Sequence, residues 1–375
     1  MRGLDVRAIG RQIRDMDGEG FILLEFFPDT DAPGMQATVN AAIDRANEVA
    51  EAAGQDNGIA GFRCSDCLPS PHGYFFTTER ASIPAAVPVW VDGFEQALAS
   101  DGVTGTLRQV REQRPPGDSD TRRATVAVVT VSGWQPRDRQ EGRGVVRPAW
   151  ESSAERGEAL SAWARDWTSQ GQPVDLYLMR NGSVLIPASF AARAMTPLTY
   201  CTLAWWPDPE HYRWVSFWSS GRIVIACRDT TSGWATELAG ITTALRELAP
   251  VTEHAIVRRA YTVSSDQSVV YSMPGAHPNP QWQRDVILYL GAHLPDQDAD
   301  HILDAAPVML LTDTHLARAA VPPRWTDTDL GNGRHLFTID DPAPWLTDPG
   351  PDPDTLAAAR ADLAPLLWQP PASAP

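Results

Sequence analysis

The chain has 375 residues, 43% of them apolar, so it can bury a sizeable core and is long enough for two domains. Its formal charge is −16, and all 31 of its basic residues are arginine, which excludes in their usual form the P-loop ATPases, protein kinases, pyridoxal-phosphate and other Schiff-base enzymes, and penicillin-binding sites, each of which needs a lysine. Four cysteines do not make a disulfide framework, no run approaches about 18 apolar residues, and the first twenty residues are charged throughout with no apolar h-region, so a soluble, cytoplasmic protein without a membrane partner is expected.

Leu4, Ile9, Ile13 and Met16 recur at helical spacing, which predicts a short helix over 4–16. Gly20 to Phe27 is a continuous apolar run stopped by Pro28, the pattern of a buried strand. Val39, Ile43, Ala46 and Ala50 define one face of a helix over 35–53. Two strand-like runs, 58–65 and 72–79, flank a proline-containing loop. A helix opens at Pro88, where proline is tolerated, and a strand covers 105–110. The order β-α-β-β-α-β predicts a ferredoxin-like, or split βαβ, domain over 1–112. Residues 113–123, with Pro-Pro, Gly and dense charge, read as a linker.

A second α+β domain, with a mostly antiparallel sheet, is expected over 124–264. Its predicted parts are a β-branched strand at 124–131, a loop over 136–153 and a helix at 155–169. Strands at 174–179 and 183–186 follow, around the Asn181-Gly182 hairpin signal. Next come strands at 199–206, 212–218 and 221–228, a helix at 232–249 with Trp234, Leu238, Ile241, Leu245 and Leu248 in phase, and a strand at 254–263. Residues 265–368 read as a C-terminal α/β extension packed on that domain. Strands are expected there at 285–290, 308–312 and 335–339, and helices at 297–306 and 354–368. Residues 369–375 read as a disordered tail.

The chemical motifs are sparse. Cys64 and Cys67 form a C-x-x-C pair with His72 nearby, but no second pair completes a zinc set, and the prolines that follow do not open a helix as a redox motif would. They read as two ordinary thiols. The acidic run from Asp296 to His301 lacks the Gly and Glu of a calcium loop and reads as a helix cap. The pairs Asp29/Asp31, Asp327/Asp329 and Asp340/Asp341 read as turn residues. No cofactor and no metal is expected, and the eight histidines are scattered.

Two surfaces stand out. Residues 1–100 and 251–375 carry net charges of −8 and −9, whereas 101–250 carries +1, with Arg137, Arg139, Arg143 and Arg147 along one loop. The stretch 205–218 concentrates Trp205, Trp206, Trp214 and Trp218, and period-2 alternation puts aromatics on both faces. The expected function is a non-enzymatic, protein-binding or accessory component of a larger assembly, using these residues. Its partner is expected to be another protein, with a homo-oligomer allowed. Nucleic acid is disfavoured by the low isoelectric point and by the lack of aromatics among the arginines. The alternative is a metal-independent hydrolase or transferase whose site is assembled from distant loops.

Overall fold

The computed structural model describes residues 22–55, 63–78, 86–111, 113–117, 122–131, 154–179, 183–194, 201–217, 222–262, 301–302, 304–346 and 351–367. The helix expected over 4–16, the strand expected over 285–290, the four loop arginines, Trp218 and the tail lie outside them. The chain forms two compact units, residues 1–114 with 173–196 and residues 115–172 with 197–375. Both mix helices with antiparallel strands, as an α+β protein should.

In the first unit the apolar run becomes β1 (Leu23–Pro28), followed by α1 (Met35–Gln55), β2 (Leu68–Pro69), β3 (Tyr74–Thr77), α2 (Val87–Ser100) and β4 (Gly105–Val110). The four strands lie in the order β2-β3-β1-β4, every neighbour antiparallel. The predicted helix face is buried: Val39, Ile43, Ala46 and Ala50 join Phe26, Phe76, Trp90 and Phe94 in one core. Trp90 stacks on Phe94 at 5.0 Å, and Phe26 meets Phe94 edge-on at 5.7 Å, a geometry aromatic pairs favour. Glycine is required at the start of β4: a Cβ on Gly105 would lie 2.2 Å from the Phe27 carbonyl oxygen.

The second strand differs from expectation. Of the described residues in 58–65, Cys64 alone pairs, in an isolated bridge to Thr78, and the ladder to β3 is made by Leu68 and Pro69. Pro69 is tolerated because β2 is an edge strand, with no strand on its other side among the described residues. The same unit holds the hairpin β6 (Asp175–Met179) and β7 (Ser183–Pro187), and a short helix α4 (Ala188–Ala194) that the sequence did not announce.

The second unit contains β5 (Arg122–Val131), α3 (Ala154–Ser169), β8 (Cys201–Asp208), β9 (His211–Phe217), β10 (Arg222–Asp229), α5 (Trp234–Leu248) and β11 (Thr252–Thr262). It continues with β12 (Val308–Thr312), α6 (Asp313–Arg318), β13 (Trp325–Gly331), β14 (Arg334–Ile339) and α7 (Pro353–Asp362). Its strands run β13-β14-β12-β11-β5-β10-β9-β8, each neighbouring pair antiparallel. Helix α5 packs on β10, β5 and β11, and α3 on β8 and β9. The Trp163 indole donates to Glu247 at 2.9 Å, tying the two helices together.

Two expectations in the C-terminal part are corrected. The described residues of 297–306 are not helical. Ile302 instead pairs in parallel with Leu367, its N–H reaching the Leu366 carbonyl at 2.8 Å. Asp304 is buried and receives a two-pronged bond from Arg360, both contacts 2.7 Å, which holds α7 in place. Asp327 and Asp329 belong to strand β13 rather than to a turn.

Candidate functional site

The residues with chemical potential in the second unit gather where β5 begins and β10 and β11 end. Register fixes a row across the sheet: Arg259 lies opposite Thr125, Thr125 opposite Cys227, Cys227 opposite Arg213, and Arg213 opposite Trp205. Residues directly opposite share a face. That face is the one beneath α5, because Glu237 in its first turn accepts a hydrogen bond from the Thr125 hydroxyl at 2.7 Å.

Glu237 is 1% exposed. Arg259 Nη1 donates to it at 2.9 Å and the Asp229 backbone N–H at 3.2 Å. Burial holds the Arg259 guanidinium below its ordinary pKa against the pull of Glu237, and the charges of Arg123 and Arg228 add to the depression. Arg228 is tied to the Arg123 carbonyl and to Glu210, the latter at 2.7 Å. At the rim, His211 Nδ1 lies 2.9 Å from Asp208 and its Nε2 2.7 Å from Thr231. The Ser232 backbone N–H, with that of Thr231, keeps the Asp229 carboxyl below the usual range. Burial pushes the Cys227 thiol up to about 11 despite Arg213 beside it, so at neutral pH it is a protonated, weak nucleophile.

Of the tryptophans singled out from sequence, Trp205 sits on this face and is half-buried, with the Arg213 guanidinium 5.6 Å from its ring centre. Trp206 and Trp214 lie inside the protein, 4% and 1% exposed, and are not open surface. Trp206 stacks on Tyr212 at 4.4 Å. The indole N–H groups of Trp206 and Trp214 have no hydrogen-bond partner among the described residues. Sequence reasoning missed Arg213, Arg259 and Glu237. Arg213 was legible: it stands in the aromatic stretch, one residue from Trp214 and therefore on the opposite face. Arg259 and Glu237 lie far apart in sequence and only the sheet register brings them together.

In the first unit the C-x-x-C segment is held from α1. Asn47 bonds both the N–H and the carbonyl of Cys64, at 2.9 and 3.0 Å, and also accepts from the Trp90 indole. Asn40 accepts from the Cys67 N–H at 2.7 Å, and Gln36 donates to the Cys67 carbonyl. Both cysteines are buried, 2% and 0% exposed. Among the described residues no group of three or more His, Cys, Asp or Glu is placed to hold a metal ion, and no helix is long and apolar enough to cross a membrane.

Neither a protein-family model nor a curated protein matches the chain. Among solved structures, the T6SS protein PA0821 of Pseudomonas aeruginosa is similar at a TM-score of 0.41 and 8% identity, over 66% of this chain and 77% of that one.

Proposed function

We propose that the protein is a non-enzymatic binding or accessory component of a larger assembly, and that the sheet rim around Trp205 and Arg213 receives its partner. The observation that carries this reading is the preformed Trp205–Arg213 pair, partly exposed and backed by the buried Glu237–Arg259–Thr125 network. Trp and Arg dominate the energetics of protein interfaces, and a side chain already held in place loses little entropy on docking. The charge of −16 repels a phosphate backbone, which favours a protein partner over nucleic acid. For the first unit we read the strand order β2-β3-β1-β4, with helices after β1 and β3, as the ferredoxin-like arrangement. That arrangement hosts many functions and selects none. Four cysteines in 375 residues make no disulfide framework, and on that composition we place the protein in the cytoplasm.

Native mass spectrometry of the protein isolated from its host tests the reading. A co-purifying protein is expected, and Trp205→Ala or Arg213→Ala should weaken that complex by about thirtyfold. A complex indifferent to both variants overturns the assignment of the rim. A protein isolated alone with a small molecule that it converts overturns the binding reading in favour of a hydrolase or transferase.

A further inference from the structure

Strand β13 is the outer strand of the second unit's sheet, bonded to β14 on one side and with no strand beyond it among the described residues. Four successive residues, Thr326, Asp327, Thr328 and Asp329, are exposed. Such an edge offers a row of backbone donors and acceptors onto which another extended segment can add.

Side-chain charge decides what can add. Asp327 and Asp329 project to one face by alternation, opposite Phe337 and His335. Asp313 extends the same negative patch from α6, 76% exposed and 3.0 Å from His335, and Asp340 accepts from Thr326 at the strand's other end. The cations of the hairpin do not cancel this. Arg334 is turned away onto the Thr252 carbonyl at 2.7 Å, and His335 is shared between Asp313 and Asp327. A second copy pairing β13 against β13 would set Asp327 and Asp329 against their own counterparts, and like charges directly opposite are destabilising. The same two carboxylates reward a strand bearing cations at alternate positions.

We propose that β13 is a strand-addition site for an extended segment of another protein in which alternate residues are Arg or Lys. The cations face Asp327 and Asp329, and small or β-branched residues lie over Thr326 and Thr328 on the other face. This surface is separate from the Trp205–Arg213 rim and stands whether or not the rim binds a partner.

The test uses the full chain and a synthetic peptide of alternating arginine and valine. It is compared with the glutamate–valine counterpart and with an arginine–valine peptide N-methylated at alternate residues, which keeps the charge but blocks ladder formation. Fluorescence anisotropy should show binding of the first peptide alone. Hydrogen exchange should slow over residues 326–330. The double variant Asp327→Asn/Asp329→Asn should weaken binding about tenfold, and Trp205→Ala should leave it unchanged. Equal binding of the N-methylated peptide would show that charge acts without strand pairing and would overturn the proposal. So would protection elsewhere, an indifferent double variant, binding of the glutamate peptide, or no binding.

Discussion

At the scale of single residues, Glu237 shows how far charge and burial have to be matched here. It is almost fully enclosed, and three donors converge on it: the Thr125 hydroxyl, the Arg259 guanidinium and the Asp229 N–H. Removing the carboxylate alone leaves Arg259 buried with no counter-charge and the Thr125 hydroxyl without its acceptor. Glu237→Ala should therefore lose about 3 kcal/mol of stability in urea unfolding. The pair as a whole is a different matter, since desolvating two charges offsets much of their attraction. The double variant Glu237→Leu/Arg259→Met should recover most of the loss. If the double variant is as unstable as the single one, the pair contributes net stability and the desolvation argument fails here.

At the scale of elements, the β13–β14 hairpin is joined to α6 by the His335 side chain and by the Asp313 N–H, which donates to the Gly333 carbonyl at 3.2 Å. His335 lies 3.0 Å from Asp313 at the start of α6 and 3.2 Å from Asp327 on β13. Burial pulls its pKa down, but the hydrogen bond to Asp313 and the charge and hydrogen bond of Asp327 outweigh this, and the pKa stands above the ordinary 6.5. A group raised on folding stabilises the fold fully below its unfolded pKa, and that stabilisation is lost as pH rises through the folded value. Unfolding free energy should thus fall as pH rises above the ordinary histidine value of 6.5 and through the raised folded value. His335→Gln should flatten that slope, which pH-dependent urea titrations of both forms would read. The hairpin also marks where sequence reading reached its limit. Strands with at least one buried face, such as β1, β4, β8, β9 and β10, declare themselves through apolar runs or alternation, and α1, α2 and α5 through their helical stripes. Strand β13, with sequence WTDTDLG, is solvated on both faces and has neither signal, so its aspartates looked like turn residues. Pro69 hid β2 for a related reason: proline argues against a ladder except on an edge, and edge position is a property of the sheet. The row Arg259–Thr125–Cys227–Arg213–Trp205 draws on five strands, so its members were visible one by one but their assembly was not.

At the scale of the whole molecule, 47 acidic residues against 31 arginines set long-range repulsion against local pairing. The pairs fall into two groups. Arg45–Asp101 and Arg324–Asp362 are a third or more exposed on most of their members, and pairs of that kind contribute about 0–1 kcal/mol each. Arg259–Glu237 and Arg360–Asp304 are buried and little affected by ions in solution. Raising salt from about 20 mM to about 0.5 M shortens the Debye length from about 20 Å to about 4 Å, which removes the repulsion while taking little from the pairs that matter. Stability should therefore rise with salt, by about 1 kcal/mol or about 2–4 °C in thermal unfolding followed by tryptophan fluorescence, with sodium and choline chloride acting alike. A fall with salt would mean that exposed pairs outweigh the net charge. Binding at the β13 edge should respond in the opposite sense, because the attraction between Asp327, Asp329 and a cationic strand is itself screened. The fold should thus tighten in the same salt range in which the proposed partner is released.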